Sequence, residues 1–233
     1  MNIAVIFAGG VGKRMGNEDL PKQFIEIDSK PILVHTIEQF EKNKNIDVII
    51  VSIVNDWLEH TLDLVQQYSL TKVKHVIPGG ETGQMSIFNG IKCANEHYLD
   101  DTIVLIHDGV RPFITQKLID DNIETTRQYG SAISSVGAIE TFLVTDIDSK
   151  VVSIPKRSQS MIAKAPQSFL LKDIYDVHIQ AQKDGIFNSI DSCTLMNSYN
   201  RPLSIVITDH NNIKITTPKD IVIAKSIYEK LWR

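Results

Sequence analysis

Short apolar runs alternate with amphipathic segments through the first half of the chain. The runs cover residues 2–7, 47–54, 73–77 and 102–106, and continuous apolar stretches of this length are typical of buried strands. The segments between them space their apolar side chains as amphipathic helices do. Two such stripes are Ile32, Leu33, Ile37 and Phe40, and Trp57, Leu58, Leu62 and Val65. Repeated strand–helix–strand units predict an α/β fold with a mostly parallel sheet flanked by helices.

The pattern changes near residue 131. Residues 131–154 are rich in Val, Ile, Ser and Thr, with a predicted turn at 146–149, which indicates a β-hairpin or arm instead of another strand–helix–strand unit. Because we find no repeats or linker-like stretches, we expect one domain over residues 1–233 with a protruding β-arm at about 131–168. Beyond the arm the pattern predicts helices near 171–182 and 189–198, a strand at 203–207 and a last helix beginning at Pro218.

Composition and charge narrow the class of protein. The 233 residues are 42% hydrophobic and 22% charged, as in an ordinary globular protein. A formal charge of −4 argues against a nucleic-acid-binding surface and gives no membrane signal. The sequence shows neither a membrane-spanning run nor a signal-peptide pattern. Cys93 and Cys193 lie far apart without metal-like spacing, so we expect buried or free thiols and a cytoplasmic location.

The first apolar run opens into a glycine-rich stretch, Ala8-Gly-Gly-Val-Gly-Lys-Arg-Met-Gly16, and Pro21-Lys22 follows. Glycines after a strand leave backbone N–H groups uncovered, and such a loop can cradle phosphate groups. Arg14 and Lys22 add two positive charges beside the cradle. The stretch therefore predicts a site for a polyphosphate nucleotide.

Two other phosphate motifs fit this stretch less well. A P-loop, G-x-x-x-x-G-K-[ST], fails because Phe7 stands at its first glycine and Arg14 stands where Ser or Thr would bind magnesium. A dinucleotide fingerprint is closer, but the second apolar run ends in Asn55 and lacks the acid that holds the ribose. That fingerprint would use Gly10, Gly12 and Gly16. We prefer a nucleotidyltransferase loop, A-G-G-x-G-x-R-M followed by P-K, because it gives Arg14 and Lys22 a role.

Two further charged residues suit the same chemistry. Asp108 follows the run 102–106, at the sheet edge where ligands bind, and a carboxylate there can hold Mg²⁺ against phosphates. Lys214 lies in a loop after a strand, where it can join Arg14 and Lys22 in relieving the charge of the phosphates. We expect His107 to be structural. No Ser-His-Asp or Cys-His arrangement stands out in the sequence.

The motifs together resemble those of the cytidylyltransferases that join CTP to a sugar-alcohol phosphate, and the resemblance runs nearly end to end. Members of this family make either the cytidine-diphospho derivative of 2-C-methyl-D-erythritol, in isoprenoid synthesis, or CDP-ribitol, for cell-wall and capsular polymers. The matching motifs are A-G-G-V-G-K-R-M at 8–15, P-K-Q-F at 21–24, G-G at 79–80 with Ser86, H-D-G-V-R-P at 107–112, Thr141, I-P-K-R at 154–157, A-P-Q-S-F at 165–169 and N-I-K-I-T-T-P at 212–218.

The resemblance implies a Rossmann-like sheet of the nucleotidyltransferase type and a role for each matching residue. The nucleotide CTP would be held by Ala8, Gly9, Gly10, Gly12, Gly80 and Ser86. The catalytic cations would be Arg14, Lys22 and Lys214, and the metal ligand for Mg²⁺ would be Asp108. The acceptor, a polyol phosphate, would be bound by Arg111, Thr141 and Arg157. The last two residues would reach across the interface of a homodimer.

Two positions depart from the family pattern. Gly83 stands where members commonly carry Arg, and Ala165 replaces the Thr of Q-T-P-Q, next to an additional lysine, Lys164. Finer likeness favours the ribitol-phosphate branch. It rests on an extra residue before P-K-Q-F, on Pro31–Ile37, on Trp57 with His60 and Thr61, and on Asp191-Ser-Cys193. We therefore expect D-ribitol 5-phosphate as the acceptor, with 2-C-methyl-D-erythritol 4-phosphate as the alternative.

Two other classes of protein share part of this pattern. A nicotinamide dehydrogenase would use the glycines but would leave Lys22, Asp108 and Lys214 without a task. A non-catalytic sugar-nucleotide sensor would keep the cradle but would not need the charged set. Thermal stabilisation by CTP or by NAD(P)H would discriminate the first of these from a cytidylyltransferase.

Overall fold

The structure is a computed structural model, and it describes residues 1–9 and 20–232. Its strands are β1 (Asn2–Ala8), β2 (Glu26–Ile27), β3 (Lys30–Pro31), β4 (Val48–Ile53), β5 (Val73–Pro78), β6 (Ile103–Asp108), β7 (Ser131–Gly137), β8 (Val144–Thr145), β9 (Val151–Ser153), β10 (Met161–Leu170) and β11 (Ile205–Ile207). Its α-helices are α1 (Ile32–Lys42), α2 (Leu58–Gln67), α3 (Gly83–His97), α4 (Gln116–Tyr129), α5 (Leu171–Lys183), α6 (Ser192–Ser198) and α7 (Pro218–Trp232). Within these ranges, no helix is both long enough and apolar enough to cross a bilayer.

Seven of these strands form one sheet, in the order β11-β7-β10-β6-β1-β4-β5. Strands β6, β1, β4 and β5 are parallel, and Ile3 of β1 lies opposite Val48 of β4 and Val104 of β6. Strand β10 runs antiparallel to both β6 and β7, while β11 is parallel to β7. The predicted α/β class with a mostly parallel sheet is therefore confirmed.

Successive residues of the central strands pack on opposite faces of the sheet. Ala4 and Ile6 of β1 join the apolar cluster that includes α1 and α4. Ile3 and Val5 join the cluster that includes α3 and α5. Because both faces are covered by helices, β1, β4 and β6 are apolar at most positions, which explains the continuous hydrophobic runs in the sequence.

The predicted apolar stripe of α2 is wrong at Leu62, whose side chain is 50% exposed. Thr61 and Leu64 are buried on that helix instead. Thr61 can be buried because its hydroxyl donates a hydrogen bond to the carbonyl oxygen of Trp57, at 2.7 Å.

The arm is shorter than the sequence suggested. We assigned 131–168 to it, but Ser131–Gly137 and Met161–Leu170 are strands of the central sheet. Only residues 138–160 leave the sheet, and they contain the hairpin of β8 and β9. The serines of β7 made this strand look too polar to be buried. They can be buried because their hydroxyls have hydrogen-bond partners inside the protein; for example, Ser134 Oγ accepts a hydrogen bond from Asn122 Nδ2, at 3.0 Å.

We expect one glycine of α3 to be essential for its packing against β1. A Cβ at Gly90 would overlap Cγ1 of Val5, whereas a Cβ at Gly83, in the same helix, meets no atom within 4 Å. Overpacking costs about 1–3 kcal/mol, more than the roughly 1 kcal/mol by which alanine favours a helix over glycine. Gly90→Ala should therefore lower the free energy of unfolding in urea, and the matched control Gly83→Ala should not. Equal stability of the two variants would contradict this packing.

Candidate active site

A cavity of about 580 Å³ opens at the carboxyl ends of the parallel strands. Its walls include Ala8 and Gly9 from the end of β1, Asn55 after β4, Gly80 after β5 and Asp108 at the end of β6. The chain proceeds from β1 outward to β4 and β5 and then returns to β6 on the other side of β1. Ligands of open parallel sheets bind at such a change of direction. The structure thus brings the start of the glycine-rich stretch and Asp108 to one edge.

A buried carboxylate organises the cations of this cavity. Asp108 is 6% exposed, and its Oδ1 pairs with Nζ of Lys214 at 2.5 Å while its Oδ2 pairs with Nε of Arg111 at 2.7 Å. Burial by itself would raise the pKa of Asp108, but the charges and hydrogen bonds of Arg111 and Lys214 outweigh burial and hold that pKa well below its usual range. The carboxylate is therefore ionised at neutral pH.

His107, next to Asp108, is fully buried and has a structural environment. Its Nε2 lies 3.1 Å from the carbonyl oxygen of Arg111, and its ring contacts Phe40 edge-on. Burial lowers the pKa of His107 to about 4. The imidazole is therefore neutral at pH 7 and closes the turn that carries Arg111, in agreement with the expected structural role.

Lys214 is positioned by its two neighbours. Ile215 is fully buried in a small apolar cluster with Val110 and Phe113, and Ile213 packs against the same cluster. The N–H of Ile215 also donates to the carbonyl oxygen of Val110, at 3.0 Å. With both neighbours packed in this cluster, Lys214 faces Asp108 and the ring of Phe7, whose centroid lies 5.8 Å from its Nζ.

Lys22 lies in a short 3₁₀ turn, Lys22–Phe24, that is fixed to the end of β1. The next residue, Gln23, is buried and donates from Nε2 to the carbonyl oxygen of Ala8, at 2.9 Å. Phe24 stacks on Trp57, with 4.7 Å between ring centroids. Trp57, one of the residues that favoured the ribitol-phosphate branch, thus supports the turn that places Lys22 in the cavity wall.

The glycines of the cavity wall allow a close approach of three segments. A Cβ at Gly9 would overlap the Oγ of Ser86, so only glycine fits beside this serine. Ser86 is buried; its Oγ accepts a hydrogen bond from the N–H of Gly80, at 3.0 Å, and lies 3.0 Å from the carbonyl oxygen of Thr82. Ser86 therefore ties the Gly80 segment to α3, and it is one of the residues that line the cavity.

A second cavity of about 290 Å³ adjoins the first. The two share Phe7, Gly83, Asp108 and Lys214 in their walls. The polar residues found in the second alone are Arg111, Lys164, Gln167, Asp191 and Ser192. Two ligands, one bound in each cavity, would therefore approach each other beside Asp108 and Lys214.

The second cavity is shaped by residues that the sequence analysis missed or left without a role. Buried Asn212 donates from Nδ2 to the carbonyl oxygen of Ala165, at 2.6 Å. The main-chain carbonyl oxygen of Asn212 accepts hydrogen bonds from Arg111 Nη1, at 3.0 Å, and from Lys164 Nζ, at 3.1 Å. The sequence analysis also missed the role of Gln23 beside Lys22. The sequence signal for Gln23 and Asn212 was that each lies in a motif with one of the predicted catalytic lysines, Lys22 or Lys214.

Five predicted site residues are absent from the described lining of these cavities, for two different reasons. For Gly10, Gly12 and Arg14 the prediction stays untested, because they lie outside the described residues. Thr141 and Arg157 lie on the arm, are exposed, and line neither cavity within this chain. Lys22, Lys214, Asp108, Arg111, Ala8, Gly9, Gly80 and Ser86 do line one cavity or both.

The donor set at Asp108 fits a magnesium ion held mainly by a nucleotide. Mg²⁺ commonly binds one or two carboxylates together with substrate phosphates. Asp108 supplies one carboxylate at the junction of the cavities, and each of its oxygens keeps a further lone pair beyond its ion pair. Glu81 and Asp191 also line the cavities, but no three carboxylates converge among the described residues, so phosphate oxygens would have to complete the coordination.

Comparisons with known proteins identify the family of this chain. The model of the 2-C-methyl-D-erythritol 4-phosphate cytidylyltransferase family matches residues 2–230. A ribitol-5-phosphate cytidylyltransferase of Streptococcus agalactiae is 51% identical over 98% of this chain and 95% of its own length. One of Vibrio parahaemolyticus is 48% identical over 98% and 96%.

Solved structures show the same fold. The 4-diphosphocytidyl-2C-methyl-D-erythritol synthase of Anaerococcus prevotii superposes with a TM-score of 0.85, at 28% identity, over 98% of this chain and 96% of its own. The 2-C-methyl-D-erythritol 4-phosphate cytidylyltransferase of Francisella tularensis gives a TM-score of 0.77 at 26% identity, over 97% and 98%. With this sheet, this cavity and these matches over nearly the whole length, the chain belongs to the 2-C-methyl-D-erythritol 4-phosphate cytidylyltransferase family and is a nucleotidyltransferase.

Proposed function

We propose that this protein transfers the cytidylyl group of CTP to D-ribitol 5-phosphate, giving CDP-ribitol and pyrophosphate. The observation that carries the proposal is the pair of adjoining cavities with Asp108 and Lys214 in their common wall. The choice of acceptor is supported by two relatives at 48–51% identity that are named ribitol-5-phosphate cytidylyltransferases. In this proposal the larger cavity takes CTP and the smaller takes the acceptor.

The chemistry needs no general base from the protein. The nucleophile is a phosphate monoester oxygen of the acceptor, and because its second pKa is about 6 it is already anionic at neutral pH. This oxygen forms a bond to the α-phosphorus of CTP, and the bond from that phosphorus to the bridging oxygen of pyrophosphate breaks. The barrier comes from bringing anions together and from charge on the leaving group, which fixed cations relieve.

The positions of the described cations support a role for them in these two tasks. Lys22 lines the larger cavity and would act on the phosphates that leave as pyrophosphate. Arg111 lines the smaller cavity and would bind the acceptor phosphate. Lys214 stands between them in both walls, where the α-phosphate would lie. Mg²⁺, when bound to the nucleotide and Asp108, would neutralise further phosphate charge.

Lys164 gives the smaller cavity a third cation, beside Arg111 and Lys214. Its Nζ is held by the carbonyl oxygens of Asn212, at 3.1 Å, and His210, at 3.3 Å. Burial, followed by the nearby charge of Arg111, lowers the pKa of Lys164. Together with the carboxylate of Asp191, this ammonium group offers hydrogen bonds to a chain of hydroxyls, which a pentitol presents along its whole length.

The arm supports the proposal of a homodimer. Large apolar side chains along it are exposed, among them Ile139 at 66%, Leu143 at 56%, Ile147 at 99%, Val152 at 60% and Ile154 at 60%. Several large exposed apolar side chains on one short segment are typical of an interface. A second copy of the chain would cover the patch and would bring Thr141 and Arg157 of its own arm to the acceptor cavity.

A cytoplasmic location belongs to the same proposal. Cys93 and Cys193 are free thiols, as expected in a reducing compartment.

The acceptor and the metal can be tested in one assay. We expect pyrophosphate release from CTP with D-ribitol 5-phosphate, loss of activity in EDTA, and a kcat/KM at least roughly tenfold above that for 2-C-methyl-D-erythritol 4-phosphate. Tenfold corresponds to about 1.4 kcal/mol, which a pocket that pairs with hydroxyls can supply. Both acceptors compete in one tube, and the CDP products are separated and counted. If most of the product were CDP-methylerythritol, the assignment of D-ribitol 5-phosphate as the acceptor would be wrong. A preference for a purine nucleotide over CTP would contradict the proposed cytidylyl transfer.

Lys22→Ala should reduce kcat by on the order of 10²-fold or more while changing the affinity for CTP less. Its charge matters most when pyrophosphate leaves, and the loss of one transition-state charge contact has this size. Single-turnover kinetics separate chemistry from binding. The matched control is Lys117→Ala, an exposed lysine paired with Asp121 on α4, which should retain full activity. A normal kcat with a raised KM for CTP would make Lys22 a binding residue only.

Mixed dimers test whether the arm completes the neighbouring site. Lys22→Ala and Arg157→Ala should each be nearly inactive, and mixing them after partial unfolding should restore part of the activity, because some dimers then contain one intact composite site. Refolding each variant alone controls for the treatment. A fully active monomer in solution would exclude this arrangement.

A further inference from the structure

Three potential metal ligands converge on the sheet edge, in neither of the two cavities. His75 lies on β5, and Cys93 and His97 lie on α3. One ligand atom from each lies within 4.8 Å of the other two. The ring centroids of His75 and His97 are 4.6 Å apart, and the ring planes are inclined by 45°.

We propose that His75, Cys93 and His97 bind a Zn²⁺ ion that tethers the edge strand β5 to helix α3. Cys93 and His97 are four residues apart and therefore lie on the same face of the helix. One thiolate and two imidazoles form a donor set that zinc prefers, with bonds of about 2.3 Å to sulfur and about 2.0–2.1 Å to nitrogen. Small side-chain rotations would bring the three atoms to these distances. Water would take the fourth position, and the thiol proton would pass to solvent.

Hydrogen bonds already orient both imidazoles for coordination. Nδ1 of His97 lies 2.8 Å from the carbonyl oxygen of Cys93, and a carbonyl can only accept, so Nδ1 carries the proton and Nε2 keeps its lone pair. Nε2 of His75 lies 3.1 Å from the hydroxyl of Tyr98, which leaves Nδ1 for the metal when Nε2 donates. Metal-binding histidines typically use their second nitrogen in this way.

The burial of the three ligands suits an ion that enters from solvent. Cys93 is 8% exposed and forms the floor of the site, while His75 is half-buried and His97 is exposed. Glu96, next to His97, pairs with Lys92 at 3.8 Å on the solvent side of α3. The histidines can therefore close over an ion that the thiolate has bound.

The three ligands lie outside both cavities, but they belong to elements that also carry residues of the cavity wall. Cys93 follows Ser86 by two turns of α3, which is about 10 Å along the helix axis. Strand β5 pairs with β4 alone in the described sheet, and it leads directly into Gly79 and Gly80 of the cavity wall. A tether between β5 and α3 would therefore stabilise the two elements that carry Gly80 and Ser86.

Cobalt and zinc titrations of the full chain, stripped of metal and free of nucleotide, test the site. One equivalent of Co²⁺ should produce a thiolate-to-cobalt charge-transfer band and the visible bands of tetrahedral cobalt, and Zn²⁺ should remove both. Zn²⁺ at about 100 times its Kd should raise Tm by roughly 5–10 °C. Absence of the charge-transfer band in the unaltered chain would overturn the proposal.

Matched variants assign the ligands. Cys93→Ser should abolish the charge-transfer band, and the control Cys193→Ser, which changes the other free thiol, should keep it. His97→Gln, at an exposed position that should not disturb folding, should weaken Zn²⁺ binding by at least roughly 100-fold, and His60→Gln, at an exposed histidine outside the cluster, should not. Unchanged Zn²⁺ affinity in His97→Gln, or a band that depends on Cys193, would reject the site.

Discussion

The ion pairs of Asp108 with Arg111 and Lys214 are the interaction on which the rest of the site depends. Burying a carboxylate costs several kcal/mol unless partners compensate, and here both oxygens have one. The pairs join the turn after β6 to the segment before α7, from distant parts of the chain. Removing the carboxylate would leave two cations close together with no counter-charge. Phosphate groups that enter the cavities would offer Arg111 and Lys214 alternative partners, so the carboxylate keeps these cations in place until the substrates arrive.

Uncharged residues around the two cavities fix the positions of their lysine and arginine side chains. Gln23 fixes the turn of Lys22 to β1, the buried Ile215 fixes Lys214, and Asn212 holds both Arg111 and Lys164. Each support is an uncharged group: the side-chain amide of Gln23, the apolar side chain of Ile215 and the main-chain carbonyl of Asn212. Such preorganisation suits a reaction whose nucleophile is already ionised, because the protein then has to supply position and electrostatics and does not have to move a proton.

Much of the fold and part of the site could be predicted from the sequence, since both depend on local patterns. The central strands and the helices between them follow from apolar runs and helical spacing. The errors have a common cause. Ser131–Gly137 seemed polar enough for an exposed arm, and Leu62 seemed to face the core in place of Thr61. In both cases a hydroxyl group is buried because it has a hydrogen-bond partner, either distant in sequence or in the preceding turn of the helix.

The sequence by itself determined the α/β class, the order of strands and helices, and which charged residues follow which strands. The motifs also indicated the nucleotidyltransferase chemistry, because residue types and spacing within a single loop are local properties. Only the tertiary structure decided that Asp108 pairs with Arg111 and Lys214, that two cavities meet at that carboxylate, and that His75 approaches Cys93 and His97. These contacts join segments far apart in the chain, and their geometry depends on how strands and helices pack, which no local pattern records.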